Sequence, residues 1–164
     1  MTASGRRELV WLFVALSIGG CSTPKGRAPN DVPAGRLWSG RLSLDLEGES
    51  RQAFFAFFEL KGSAGAGELT LSGPLGNIIA TILWTAGEAS LRVGEESRQF
   101  DSVESLIQEI TGTALPVGAL FDWLVGIETD VGGWSPDLSR LGEGRMSARR
   151  TNPEPIANLK LILD

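Results

Sequence analysis

The chain has no histidine, no tyrosine and a single cysteine, Cys21. Those absences exclude histidine-based triads, zinc sites with histidine ligands and intramolecular disulfides. No apolar run reaches the length of a membrane-spanning helix. The longest, Leu9 to Ile18, is broken only by Ser17. Ten helical residues rise about 15 Å, roughly half of a bilayer core. Positive charge is also in short supply, with 15 Lys and Arg against 20 Asp and Glu and a net charge of −5. That sign excludes phosphate-driven nucleic-acid binding and argues against a polybasic grip on anionic lipid.

What is present points to a folded, strand-rich chain. Apolar residues make up 42% and glycine occurs 21 times, which suggests many turns and short strands rather than a helical bundle. At the N-terminus, Arg6 and Arg7 precede the apolar run, and Gly19 and Gly20 follow it. This is the layout of a secretory signal over residues 1–20. Ile18-Gly19-Gly20-Cys21 resembles a bacterial lipobox, in which the cysteine thiol and its new amine are acylated; Cys21 is therefore the expected lipid attachment site. Ser22 stands where an aspartate would signal inner-membrane retention, so the expected destination is the outer membrane, facing the periplasm. Residues 21–35 carry Pro24, Gly26, Pro29 and Pro33 and read as a flexible tether. Several acyl chains, each buried CH₂ contributing about 0.8 kcal/mol, make such an anchor effectively permanent.

From Leu37 onward the period is two. Trp38, Gly40, Leu42, Leu44 and Leu46 share one face, and Ser39, Arg41, Ser43 and Asp45 the other. Gln52 to Leu60 is a second strand with Phe54, Ala56, Phe58 and Leu60 on one face; Phe55 and Phe57 make its other face apolar too. Further strands are expected at Glu68–Ser72, Asn77–Trp84, Ala89–Val93 and Ser97–Phe100, with a turn at Gly73-Pro74-Leu75-Gly76. The period then changes. Val103, Leu106, Ile107 and Ile110 form a helix stripe, with Asp101 and Glu104 as an expected capping box and Gly112 as the stop. A second helix is expected from Pro116 as its first residue to Val125, stopped by Gly126. Two more strands follow at Arg145–Arg150 and Ile156–Leu163. The fold expected for residues 36–164 is mainly β with α: one curved antiparallel sheet, or incomplete β-barrel, with two or three short helices over its concave face.

Charged and small-residue motifs that suggest chemistry are weak. Glu47 with Glu49 and Glu95 with Glu96 sit beside glycines and read as solvated turn charge. Arg149-Arg150 is too small a basic patch to mean nucleic acid, and Gly65-Ala66-Gly67 lacks the G-K-[ST] of a phosphate loop. No catalytic residue, metal ligand or cofactor is assigned.

Three blocks carry a family resemblance. They are G-E-L-T-L-S-G-P-L-G at 67–76, T-G-T-A-L-P-V-G-A-L-F-D-W-L-V-G at 111–126, and Gly133-Trp134 with the final strand Leu159–Asp164. In order and spacing they resemble the LolB family of outer-membrane lipoproteins, in a short variant. The chain departs from the family in its short segments at Ile127–Gly132 and after Trp134, which predict one or two strands fewer. The resemblance implies an apolar cavity that receives acylated lipoproteins from a LolA-like periplasmic carrier and releases them into the outer membrane. A monomer is expected, with the acylated lipoproteins as clients. The resemblance also implies that Leu75, between Pro74 and Gly76, is a membrane-insertion leucine; a Leu held between Pro and Gly at a strand turn has no core to reach. The candidate cavity lining is Leu42, Leu44, Phe54, Phe58, Leu69, Leu71 and Trp84 from strands, with Leu106, Ile110, Leu120 and Trp123 from the lid helices. The competing expectation is an outer-membrane scaffold of the same fold that binds a protein partner; a filled core without a continuous cavity favours it.

Overall fold

The computed structural model describes residues 35–48 and 52–164. The expected signal, Cys21 and most of the tether lie outside the described residues. Among the described residues, nine strands form a single antiparallel sheet: β1 (Arg36–Glu47), β2 (Gln52–Ser63), β3 (Ala66–Ser72), β4 (Ile78–Thr85), β5 (Glu88–Val93), β6 (Glu96–Phe100), β7 (Trp134–Asp137), β8 (Arg145–Arg150) and β9 (Ile156–Leu163). Their spatial order is β6-β5-β4-β3-β2-β1-β9-β8-β7, so the sheet stays open, with β6 and β7 as its edges. Between them in sequence lie the helices α1 (Val103–Thr111) and α2 (Val117–Leu124), and a short 3₁₀ turn follows at Leu141–Glu143. No helix among the described residues is long and apolar enough to cross a membrane.

Register explains where the core sits. Paired residues in a sheet share a face. Trp38, Leu60, Leu69, Ile82 and Leu91 stand side by side across five strands. Ala148, Leu159, Leu44 and Phe54 form a parallel row on the same inner face. The helices cover that face. In the middle of β1, Gly40 takes a φ of 150°, and a Cβ there would collide with the backbone oxygen of Ile162 on β9. The sheet can make this close approach between two strands only at a residue without a side chain.

Three expectations are corrected. The cap of α1 is Ser102, not Asp101: its hydroxyl accepts a hydrogen bond from the Ser105 N–H at 3.1 Å. Pro116 is the N-cap of α2 rather than its first residue, so the helix starts one position later than expected, at Val117, and it ends at Leu124 rather than Val125. A ninth strand, β7, stands at the edge; its Pro136 lacks the N–H that an interior strand would need. Gly112 does end α1 in the left-handed conformation, with φ 71° and its N–H donating to the Gln108 carbonyl.

Candidate functional site

The helical segment spans the open side of the sheet, tied at both edges. On one side the Arg98 side chain of β6 pairs with Glu109 of α1. On the other, Trp134 of β7 donates its indole N–H to the Ala114 carbonyl at 2.9 Å, in the link between the helices. Arg150 of β8 points at the same link. It is only 4% exposed, donates to the Pro155 carbonyl at 3.0 Å and lies 5.8 Å over the Trp134 ring. Burial pushes its guanidinium below its ordinary value. Arg150 is therefore a core residue, whereas Arg149 beside it is exposed.

Aromatic side chains join α2 to the sheet. Phe121 meets Trp38 edge-on at 5.6 Å and Trp84 at 6.3 Å. Trp84 in turn donates to the Ser63 and Ala64 carbonyls at the β2–β3 turn. Trp123 is wholly buried, packs 6.4 Å from Trp134 and donates to the Thr129 carbonyl. Each buried indole N–H thus has a partner, as a desolvated donor requires.

The candidate lining residues divide. Leu44, Phe58, Leu71, Trp84, Leu106, Leu120 and Trp123 belong to one buried cluster, with Leu42 and Leu69 packed against it. These side chains touch one another and fill the interior instead of lining an open void. Phe54 and Ile110 stand apart. Phe54 is on the inner face as expected, but β3 ends at Ser72, opposite Phe57, so β3 does not reach it and it stays 38% exposed. Ile110 lies on the last turn of α1, where the helix stripe runs past its packed part. It lines a groove of about 380 Å³ together with Leu46, Gln52, Thr111, Gly112 and Pro155. Leu46 and Pro155 were not among the sequence candidates. Leu46 continues the β1 alternation by one step and was the one detectable from sequence; Pro155 lies in a loop with no periodicity to reveal it.

The turn joining β3 and β4 behaves differently from the core. Gly73 donates its N–H to the Asn77 carbonyl and Gly76 to the Gly73 carbonyl, both at 2.9 Å. Gly76 has φ 79°, where a side chain is strained. Pro74 presets the entry to the turn. The result holds Leu75 out at 94% exposure, the highest among the exposed large apolar residues described.

Comparison with known proteins agrees with this architecture. The family model described as Outer membrane lipoprotein LolB matches residues 37–153. A protein named Outer-membrane lipoprotein LolB from Chromobacterium violaceum is 32% identical over 74% of this chain and 68% of its own length. Proteins of the same name from Thiobacillus denitrificans and Halorhodospira halophila are 31% and 34% identical, over 73% and 76% of this chain and 65% and 66% of their own lengths. The chain thus spans about two thirds of the length of these relatives. With its open nine-stranded sheet, two helices across the inner face and the P-L-G turn, the chain belongs to the LolB family of outer-membrane lipoproteins.

Proposed function

We propose that this chain receives acylated lipoproteins from a periplasmic carrier on the inner face of its sheet and delivers them into the outer membrane, anchored there through a lipidated Cys21. The carrying observation is Leu75, an apolar side chain held almost fully in water by a turn built from Gly73, Pro74 and Gly76. Nothing in the packing of the fold requires that exposure; insertion into a bilayer interface would use it. The step needs no covalent catalysis and no nucleotide. It runs downhill if apolar contact improves from carrier to chain to membrane.

The filled interior fits this reading if α1 swings away to admit a chain. α1 buries Val103, Leu106 and Ile107. Uncovering them costs roughly 1.5–3 kcal/mol each, about 5–9 kcal/mol together. An acyl chain of about fifteen CH₂ groups, at about 0.8 kcal/mol each, gains about 12 kcal/mol on being sheltered. Measured from water, that exceeds the cost of lifting α1 alone; a client arriving from a carrier brings only the difference between its two sheltered states. The groove at Leu46 and Ile110 is the natural place for entry to begin.

The test is transfer of a fluorescently labelled lipoprotein from carrier to liposomes. The native chain accelerates transfer. Leu75→Glu still takes the client but delivers it at least about tenfold more slowly, since full burial of a leucine is worth about 1.5–3 kcal/mol. Failure of the native chain to bind any acylated ligand overturns the proposal. A second reading, a scaffold that binds a protein partner, draws its support from the same packed interior. It predicts unchanged lipoprotein localisation in the Leu75→Glu strain.

A further inference from the structure

The outer face of the sheet carries apolar side chains that the packing does not use. Phe55 is 69% exposed and Phe57 43%, and Ile78 at the start of β4 is 67% exposed. The register brings them together. One outer row runs Arg145, Ile162, Arg41, Phe57, Ser72, Ile78 across β8, β9, β1, β2, β3 and β4. The adjacent row runs Asp137, Ser147, Lys160, Ser43, Phe55. The irregularity between Leu71 and Ser72 lets Ile78 join the outer row although Ala80 is buried on the inner face. The Leu75 turn leaves the sheet at the end of the first row, directly between Ser72 and Ile78.

Charge in these rows opposes the charge of the chain as a whole. The protein is net negative, at −5. The two rows hold three cations, Arg41, Arg145 and Lys160, against one acidic side chain, Asp137 on the edge strand, whose carboxylate accepts from the Ser139 N–H and hydroxyl. All three cations are exposed, and none is in an ion pair among the described residues. In the row beyond Phe57 stands Glu59, which is paired with Lys61 at 3.6 Å.

We propose that this outer face of β9, β1, β2 and the start of β4 is a bilayer-docking surface that seats the domain against anionic lipid headgroups and aims the Leu75 turn into the membrane. The inference rests on the insertion reading of Leu75 and extends it from one side chain to a face. Two features favour a bilayer as occupant. The apolar side chains and the cations lie side by side across several strands of one sheet face. The patch is also continuous with the turn proposed to enter the membrane. Phenylalanines at the headgroup boundary with Arg and Lys beside them match the chemistry of an interfacial surface. Electrostatic attraction at this face operates within about 10 Å and weakens with salt. The surface lies opposite the helices, so docking leaves the inner face free to exchange a client.

The experiment uses the full anchored chain on vesicles of phosphatidylethanolamine and phosphatidylglycerol. On the proposed reading the Cys21 thiol is taken up by the anchor, so one fluorophore can be placed at Ser43→Cys, beside Phe55. Parallel chains carry it at Leu75→Cys or at Glu88→Cys, the first residue of β5, beside the opposite end of β4. Quenching by a bilayer-embedded quencher is expected at 43 and 75 and not at 88. Phe55→Ser with Phe57→Ser should cut quenching at 43 by roughly half or more. Arg41→Glu with Lys160→Glu should do the same, but only on vesicles containing phosphatidylglycerol. Quenching at 75 but not at 43 overturns the docking surface and leaves the insertion reading standing. Protection of 43 only on addition of the carrier overturns it in favour of a protein partner. Loss at both positions overturns both readings.

Discussion

Two faces of one strand carry the same chemistry to opposite ends. On β2, Phe58 is 3% exposed beneath the helices, while Phe55, three residues earlier, is 69% exposed on the outer face. An alternating strand over a core normally places polar residues on its wet side, and β1 does so with Ser39, Arg41, Ser43 and Asp45. β2 breaks the rule with two large side chains, Phe55 and Phe57, before Glu59 and Lys61 follow. The inner phenylalanine is explained by folding. The outer pair is not, and a feature unexplained by stability directs attention to a surface that something else covers.

That contrast can be broken in solution. The largest effect belongs to the inner face: Phe58→Ala should cost about 3–5 kcal/mol in chemical denaturation, the range for emptying a buried aromatic site. Leu106→Ala, at 0% exposure, should cost about 2–5 kcal/mol. An intermediate effect is expected at the helix end, where Ser102→Ala removes the cap of α1 and should cost about 1 kcal/mol. Phe55→Ser should stay within about 0.5 kcal/mol of the native stability, because little of its surface is buried. A loss of 2 kcal/mol or more at Phe55 would erase the difference between the faces. Leu75→Glu belongs at the bottom of the stability series and at the top of the transfer series, and that inversion separates a working side chain from a packing one.

Much of the sheet was legible because its alternation is regular. The inner residues of β1 are spaced two apart, and the register joins them to the inner rows of β2 and β9. The exposure of Leu75 in the P-L-G turn was legible because Pro and Gly leave the residue between them no route to the core. β7 was missed because Trp134-Ser135-Pro136-Asp137 is four residues long with a proline, a pattern that an edge position tolerates and sequence cannot separate from a loop. The cap of α1 was misplaced by one residue because Asp101 and Ser102 both cap well, and only tertiary placement chooses between them. The state of the interior was not legible at all. Leu44, Phe58, Trp84 and Trp123 have the same spacing whether they line a void or fill it, and the distance between sheet and α2 decides which. The burial of Arg150 was likewise hidden, since its partners, the Pro155 and Ala114 carbonyls, lie on different segments.

The central claim is that hydrocarbon from a client rests on the inner face under α1 and α2. A lipoprotein carrying a photoactivatable group in its acyl chain, cross-linked to the chain and mapped by mass spectrometry, tests it directly. Adducts at Leu46, Leu106 or Ile110 and none at Phe55 are the predicted result. Adducts confined to the outer face, or none above a non-acylated control, would contradict it.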